Sequence, residues 1–278
     1  MVAVEANDRL ARDTYRVRFR CPEIARQIVP GQFVMLRLAG CNDPLLGRPL
    51  ALYDTVLDAS GAPVGIDVVY LVVGKLTGRL AQYRAGELLE VWGPLGNGFA
   101  PQQGGTLVMV AGGIGQTPML ALAREALGLR SYGRSPRPVE RPKRVVLCYG
   151  ARRQDLLAGV DDFRSLGIDV RLATDDGSCG HKGFATDLLR GLLGEMSAGE
   201  AGNCRAVCCG PEPMMHAAAK IAARARVRCE VSLETPMACG IGICFSCVAK
   251  VRDDSGGWDY RRTCVEGPVF DAAKIVFD

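Results

Sequence analysis

The first hundred residues alternate apolar and polar positions with a period of two. Such alternation is typical of half-buried β-strands, and several short strands with almost no helical periodicity indicate a small antiparallel barrel. A turn at Pro30 and Gly31 separates the first two segments. We therefore predict a barrel over residues 1–101. The alternating segments are TYRVRFRC (14–21), QFVMLRL (32–38), GIDVVYLVV (65–73) and ELLEVWGPLG (87–96).

The pattern changes near Pro101. The segment TLVMVAGGIGQTPMLALAREAL (106–127) is a continuous apolar run, a glycine turn and an amphipathic helix, which is the first half of a βαβ unit. We predict an α/β domain with a parallel sheet over residues 102–230 and a small C-terminal domain over residues 231–278. Further predicted strands are RVVLCYGAR, DVRLAT and RAVCCG, and further predicted helices are FATDLLRGLL and EPMMHAAAKIAARAR.

Residues 128–145, GLRSYGRSPRPVERPKRV, fit neither element type, because the segment is basic and contains three prolines. We interpret it as a solvated loop, with a basic binding arm as the alternative.

Composition narrows the function classes. Of the 278 residues, 48% are apolar and 23% are charged, as in an ordinary globular protein. A formal charge of +4 is too small to indicate nucleic-acid binding. The charged start MVAVEANDRLARD does not resemble a signal peptide, and no apolar run approaches the roughly 18 residues of a membrane span. Twelve cysteines then indicate reduced thiols and metal chemistry, and hence a cytoplasmic location.

Four of the cysteines follow a defined spacing. Cys239, Cys244 and Cys247 lie in MACGIGICFSCV, and Cys264 follows in YRRTCVEG, which gives C-x4-C-x2-C-x16-C. This is the pattern of plant-type [2Fe–2S] loops. The intervening glycines favour this interpretation, since a chain that wraps a cluster needs residues free to adopt positive φ.

Zinc and a redox-active CxxC pair are the alternatives for this loop. Zinc modules usually bring two CxxC-like pairs, or one CxxC and a histidine pair. Here there is one CxxC, and His181 and His216 lie well upstream. The spacing therefore favours the [2Fe–2S] cluster.

Two glycine-containing turns in the α/β domain are candidates for a nucleotide site, with tight packing between a strand and a helix as the alternative interpretation of each. Gly112 and Gly113 begin GGIG between a predicted strand and helix, a geometry that offers backbone N–H groups to phosphate. Thr117 is the predicted N-cap of that helix, with Pro118 in its first turn. The turn CGPEPM, which begins at Cys209, lies at the carboxyl end of another strand, where ligands bind in open α/β sheets.

The barrel also offers groups for a phosphorylated aromatic cofactor. Arg48, in GRPLALYD, can form bidentate phosphate contacts. Tyr70 can stack on a ring, and Thr77 can donate to a phosphate.

Taken together, RPLA in the barrel, GGIGQTP, CGPEPM and the C-terminal cysteine spacing resemble the ferredoxin-reductase-like flavoproteins. Within them the chain is most similar to the electron transfer (K) subunits of NAD-dependent class 1B dihydroorotate dehydrogenase. The stretch SLETPMACGIGICFSCV carries most of that resemblance. The implied fold is an antiparallel FAD-binding barrel, a parallel-sheet NAD-binding domain and a small C-terminal [2Fe–2S] domain.

The resemblance also implies roles for individual residues, and no catalytic side chain is among them. FAD would be lined by Arg48, Pro49, Leu50 and Ala51, contacted by Val69, Tyr70 and Leu71, and approached at its diphosphate by Leu76 and Thr77. NAD would be received by Gly112 and Gly113, with Cys209 near the nicotinamide, and the cluster would be bound by Cys239, Cys244, Cys247 and Cys264. Ala51 and Leu76 depart from the family pattern, which usually has Ser and Gly at these positions.

The implied function is electron transfer in pyrimidine biosynthesis. A separate FMN-containing subunit, in a heterotetramer with two copies of each chain, would oxidise dihydroorotate, and the electrons would pass through the cluster and FAD to NAD. Two alternatives remain open. One is the FAD/[2Fe–2S] subunit of a sulfhydrogenase or a ferredoxin:NADP oxidoreductase; the other is a zinc-binding interaction module without flavin.

Overall fold

The alternating segments close into a barrel of six antiparallel strands in the order β1-β2-β5-β4-β3-β6. The structure is a computed structural model, and it describes residues 1–277. The four predicted strands are confirmed as β2, β3, β5 and β6. The barrel elements are β1 (Val2–Ala11), β2 (Thr14–Arg20), α1 (Pro22–Ala25), β3 (Phe33–Leu38), β4 (Arg48–Leu57), β5 (Pro63–Leu71), α2 (Lys75–Leu80) and β6 (Leu88–Leu95).

Two barrel elements differ from the sequence pattern. Strand β1 closes the barrel by pairing with both β2 and β6, although its charged sequence carries no clear alternation. Helix α1 precedes the turn at Pro30 and Gly31, so β2 and β3 are not joined by that turn alone. Inside the barrel, apolar side chains such as Val17, Phe19 and Ile66 are fully buried.

The α/β domain is built on a seven-stranded sheet in the order β10-β9-β8-β7-β11-β12-β15. All pairs are parallel except β12 with β15, which is antiparallel. The predicted strands and helices of this region are confirmed. Its elements are β7 (Thr106–Gly112), α3 (Met119–Ala126), β8 (Arg144–Ala151), α4 (Val160–Arg164), β9 (Asp169–Thr174), β10 (His181–Lys182), α5 (Ala185–Gly194), α6 (Ala198–Gly202), β11 (Cys204–Cys209), α7 (Glu212–Arg224) and β12 (Arg228–Ser232).

The apolar run of β7 is continuous because both faces of the sheet are covered. Val108 and Val110 belong to the core on one face, together with residues of α5 and α7. Leu107 and Met109 belong to the core on the other face, together with residues of α3 and α4. This two-sided burial is what a parallel sheet requires.

The C-terminal segment is attached to both preceding units. A hairpin of β13 (Val248–Arg252) and β14 (Trp258–Arg262) follows the cysteine loop, and β15 (Val269–Asp271) then joins the large sheet. Cys247 and Cys264 share a small apolar cluster with Phe33 and Met35 of the barrel. The segment therefore uses the core of its neighbours.

Residues 128–145 form an irregular and mostly exposed loop, as predicted, which we call the strap, but a few buried contacts that were not predicted attach it to the barrel and to α3. Tyr132 is 3% exposed, and Arg130 donates to the backbone carbonyl of Thr55 in the barrel. Arg137 pairs at 3.1 Å with Glu125 of α3. The sequence of the strap shows neither strand nor helix periodicity because its buried contacts are made by polar side chains. In the described part of the chain, no helix is long and apolar enough to cross a membrane.

Candidate functional site

One cleft of about 880 Å³ opens where the barrel, the α/β domain and the C-terminal segment meet. Its size and its mostly apolar walls are typical of a cofactor site. All nine barrel residues of the sequence prediction, and Cys209, line this cleft. Its lining also includes Gly31, Phe33, Leu46, Val73, Gly74, Lys75, Ile114, Thr117, Pro118, Ser232, Leu233, Glu234, Thr235, Pro236, Met237, Ala238, Ser246 and Pro268.

Arg48 is an exposed cation at the edge of the cleft. Its Nη1 donates to the carbonyls of Leu46, at 3.2 Å, and Gly47, at 3.0 Å. These bonds fix the side chain against its own loop and leave the Nε and Nη2 donors for a ligand. The position therefore suits an anionic group such as a phosphate.

Tyr70 and Thr77 are buried and already have hydrogen-bond partners. The Tyr70 hydroxyl donates to Oδ1 of Asn7 at 3.0 Å, and burial raises the pKa of this phenol. The Thr77 hydroxyl accepts the backbone N–H groups of Val73 and Gly74, both at 3.1 Å. Both side chains thus hold the wall of the cleft in place.

Ala51 and Leu76, the two residues that depart from the family pattern, have different surroundings. Leu76 is 2% exposed and packs in the barrel core while it also lines the cleft. Ala51, in β4, pairs with Phe33 of β3 and has no side-chain polar atom to offer. Any polar contact to a ligand at these two positions must therefore come from backbone groups.

The predicted nucleotide turn contributes to the cleft through residues other than its first glycines. Gly112 and Gly113 lie outside the lining, whereas Ile114 and Pro118 line it. A Cβ on Gly112 would lie 2.6 Å from the Met214 sulfur, so glycine allows the GGIG turn to pack against the CGPEPM turn. The N-cap prediction is wrong: α3 begins at Met119 with Pro118 as its N-cap.

Cys209 ends strand β11 at the wall of the cleft, as the strand-end argument predicted. Its thiol is 3% exposed. Burial is the main cause of its raised pKa, the charge of Glu234 adds to it, and a hydrogen bond with Ser232 opposes it. Sequence reasoning missed Ser232 and Glu234; the signal for them was their place at the end of a buried strand, beside the cysteine motif.

The cysteine loop lies on the barrel. Trp92 of β6 donates its indole N–H to the carbonyl of Cys239 at 3.1 Å. Gly240 has φ +73°, and a Cβ there would lie 2.5 Å from Met35. Gly242 has φ +84°, so the predicted need for positive φ is confirmed at both glycines. Glycine therefore lets the loop fold sharply while touching the barrel.

The four cysteines of the motif form two pairs. The thiol of Cys244 is exposed; hydrogen bonds with Ser246, followed by those with Cys239, lower its pKa to about 6. Burial, followed by a hydrogen bond with Cys247, raises the pKa of Cys264 to about 12. No group of three or more His, Cys, Asp or Glu side chains within residues 1–277 is placed to hold a single ion. Two thiol pairs suit a cluster in which each of two irons takes two thiolates.

Large exposed apolar side chains lie next to the motif cysteines in the sequence, on both sides of Cys244 and after Cys264. Ile241, Ile243, Phe245 and Val265 are all about half exposed or more, with Ile243 at 74%. We call these four residues the loop patch. The Arg262 guanidinium lies 5.1 Å from the Phe245 ring centroid and covers one side of the patch. Clustered exposure of this kind marks interaction surfaces.

Three protein-family models match the chain, one for each unit. Residues 1–99 match an oxidoreductase FAD-binding domain, and residues 109–220 match an oxidoreductase NAD-binding domain. Residues 234–276 match the iron–sulfur cluster binding domain of dihydroorotate dehydrogenase B. The predicted combination of FAD, NAD and an iron–sulfur cluster is confirmed.

Curated relatives match along nearly the whole chain. The electron transfer subunit of dihydroorotate dehydrogenase B (NAD(+)) from Caldanaerobacter subterraneus subsp. tengcongensis is 34% identical over 274 residues, which cover 99% of this chain and 97% of that protein. The subunit of the same name from Desulforamulus reducens is 35% identical, with coverage of 97% and 95%.

Solved structures agree with the fold. A NADH-dependent reduced ferredoxin–NADP oxidoreductase, described for flavin-based electron bifurcation, has a TM-score of 0.81 at 27% identity, covering 100% of this chain and 90% of the matched chain. Phthalate dioxygenase reductase has a TM-score of 0.63 at 18% identity, covering 95% of this chain and 93% of the matched chain. The ferredoxin-reductase-like architecture is thereby confirmed. The chain belongs to the family of NAD-linked electron transfer subunits of dihydroorotate dehydrogenase B.

Proposed function

We propose that this chain carries electrons from an FMN-containing dihydroorotate dehydrogenase subunit to NAD, through a [2Fe–2S] cluster and FAD. One observation carries the proposal: a single cleft is lined by all three units. Barrel residues such as Arg48 form one wall, Cys209 and Ile114 of the α/β domain another, and Ala238 and Ser246 of the cysteine loop the third.

This arrangement suits the change from one-electron to two-electron transfer. FAD supplies the chemistry that links hydride exchange with nicotinamide to single-electron exchange with an iron–sulfur cluster. The chain itself supplies position and electrostatics. The apolar walls exclude water, Arg48 offers a positive charge at the edge, and the loop brings Ser246 to the cleft.

We assign the site residues as follows. The cluster is held by four thiolates, of which that of Cys244 is exposed, that of Cys239 is half-buried, and the other two are buried against the barrel. The diphosphate of FAD lies near Arg48 and the turn that Thr77 stabilises, and NAD approaches from the side of Cys209. The proposed FAD residues are Arg48, Pro49, Leu50, Ala51, Val69, Tyr70, Leu71, Leu76 and Thr77; the proposed NAD residues are Gly112, Gly113 and Cys209; the proposed cluster ligands are Cys239, Cys244, Cys247 and Cys264.

The catalytic subunit docks on the loop patch in this proposal. The patch includes Ile243 and Phe245, the two sequence neighbours of the exposed Cys244, so docking there brings the partner's cofactor close to the cluster. We further propose two copies of each subunit per complex. All twelve cysteines are free, which supports a reducing, cytoplasmic location.

Reconstitution with the partner tests this function. Alone, the chain loaded with FAD and cluster should reduce a one-electron dye with NADH and should not oxidise dihydroorotate. Adding the FMN subunit should then produce dihydroorotate-dependent reduction of NAD. Loss of the dye reaction would contradict the cofactor assignment, whereas dye reduction without any coupled activity would contradict the choice of partner.

A second candidate rests on the solved structure with TM-score 0.81, that of a NADH-dependent reduced ferredoxin–NADP oxidoreductase. A chain of that type would take part in electron exchange with ferredoxin. Purification of the native complex separates the two: an FMN-containing partner that oxidises dihydroorotate supports the first function, and a ferredoxin-reducing partner supports the second.

A further inference from the structure

The indole of Trp92 joins the barrel to the cysteine loop. Trp92 lies in β6, where it pairs with Met35 of β3, and its Nε1–H donates to the carbonyl of Cys239 at 3.1 Å. The outer edge of the ring lies against Gly47, since a Cβ on that glycine would be only 2.8 Å from Cη2 of the indole. Gly47 directly precedes Arg48, which lines the cleft. One half-buried side chain therefore touches both the proposed flavin strand and a proposed cluster ligand.

The cysteine loop has no regular structure of its own. The residues between β12 and β13, all of which the structure describes, form no helix or strand. The packing of the loop glycine Gly240 against Met35 is apolar and non-directional, whereas an N–H···O=C bond has a preferred length and angle. The bond from Trp92 therefore fixes the backbone of Cys239 on the barrel in a way that the apolar contacts cannot.

The buried side of the loop faces the flavin cleft. Phe33 and Met237 line the cleft, and they also pack with Cys247 and Cys264 in one apolar cluster. Electrons that pass between FAD and the iron–sulfur cluster must cross this packed part of the protein. Contacts that orient the ligands of a metal typically alter metal affinity or activity about tenfold to a hundredfold. The position of the loop on the barrel is therefore expected to control the transfer.

We propose that Trp92 is a positioning residue of the electron relay: its N–H holds the cysteine loop at the place on the barrel from which the cluster exchanges electrons with FAD. The inference rests on the proposed function. In the step concerned, one electron leaves reduced FAD and one ferric iron of the cluster becomes ferrous, while no bond of Trp92 forms or breaks. Trp92 lies outside the lining of the cleft, so hydride transfer from nicotinamide to FAD does not depend on it.

Trp92→Phe and Trp92→His separate the N–H from the bulk of the ring. Phenylalanine keeps an aromatic ring without a donor, whereas histidine can carry an N–H at the corresponding position of its five-membered ring and is neutral at about pH 8. Trp258→Phe is the matched control, because Trp258 is the other of the two tryptophans in the chain and lies half exposed in the C-terminal segment.

The measurement follows the two cofactors of the loaded chain separately. After anaerobic mixing with NADH, absorbance reports the bleaching of FAD, and electron paramagnetic resonance of rapidly frozen samples reports the reduced cluster. In Trp92→Phe, FAD should bleach at the unchanged rate while the cluster signal appears about tenfold more slowly, and EDTA should remove iron about tenfold faster. Trp92→His should restore most of both rates, and Trp258→Phe should change neither.

The other results contradict either the inference or the function. Unchanged cluster reduction in Trp92→Phe would overturn the inference, as would equal slowing in Trp92→His, which would assign the effect to the bulk of the indole. Slower bleaching of FAD in Trp92→Phe would show a general defect of the barrel and would also overturn it. Should Trp92→Phe take up no cluster, uptake by Trp92→His supports the inference and failed uptake overturns it. If NADH bleaches FAD in the unchanged chain but never reduces the cluster, the proposed function fails instead.

Discussion

The phenol of Tyr132 donates a hydrogen bond of 2.7 Å to the carboxylate of Asp54, which lies 78 positions earlier in the chain. Asp54 is in β4 of the barrel, and the same carboxylate also binds Arg124 of α3 and Arg130 of the strap. Two domains and the strap thus meet at one buried carboxylate. This network holds the barrel wall and the α/β wall of the cleft in a fixed relation.

Tyr132→Phe should destabilise the fold. The change removes a hydrogen bond to a charged, buried group and leaves the rest of the ring in place, so the expected loss in unfolding free energy is about 1.5–3 kcal/mol. Denaturant unfolding, followed by tryptophan fluorescence, measures it. Tyr260→Phe is the control, since Tyr260 is 52% exposed, and equal losses in the two variants would contradict this role of the strap.

Much of the fold follows from sequence periodicity. The continuous apolar run TLVMVAG predicted a strand covered on both faces, and β7 is buried in this way. The alternation of QFVMLRL predicted a strand, which is β3, but β3 is buried at five of its six positions and not on one face alone. What periodicity missed is decided by distant contacts. Strand β1 closes a barrel through β6, and β15 joins the large sheet beside β12. Neither pairing can be recognised from a pattern in the sequence of the strand itself.

In the candidate site too, local sequence patterns predicted some residues, whereas distant contacts determine the others. The cysteine spacing and the glycines of MACGIGICFSCV identify the cluster loop because one short segment must wrap the cluster. The third wall of the cleft was not predicted, since Ser232, Glu234 and Met237 reach it only through the docking of the C-terminal segment. The contacts of the strap were not predicted for a similar reason: Tyr132 and Arg130 have buried partners in the barrel that sequence alone cannot locate.

Arg48→Ala should weaken FAD binding with little effect on folding. The side chain is exposed and bonds only to carbonyls of its own loop among the described residues, so its removal leaves no buried group unpaired. Loss of one charge-assisted contact should cost about 1.5–3 kcal/mol, or roughly tenfold to a hundredfold in Kd. Flavin fluorescence titration of the apoprotein measures this, with Arg84→Ala, another exposed arginine, as control. Equal FAD affinity in the two variants would show that Arg48 does not contribute to FAD binding.

Ile243→Glu should prevent docking of the catalytic subunit. Ile243 is 74% exposed in the loop patch, and a charge there would have to be desolvated in the interface. Central apolar anchors typically contribute 2 kcal/mol or more, so Kd should rise at least about thirtyfold. Calorimetric titration with the FMN subunit measures it, after the cluster absorbance shows that the loop is intact. Leu129→Glu, at a residue 58% exposed in the strap, should bind normally, and normal binding by Ile243→Glu would place the interface elsewhere.

The central claim is that electrons must pass through the cysteine loop, and Cys244→Ser tests it most directly. Cys244 is a proposed cluster ligand, so its replacement should remove iron and sulfide. Because the residue is exposed and lies outside the cleft lining, FAD should stay bound in the cleft. Cys179→Ser, a change outside the motif, is the control. The measurement compares stopped-flow reduction of FAD by NADH with steady-state turnover of the enzyme reconstituted with its FMN subunit. We expect NADH to bleach FAD at the unchanged rate while dihydroorotate-dependent reduction of NAD is lost. Turnover at the unchanged rate in a chain shown to be free of iron would contradict the relay.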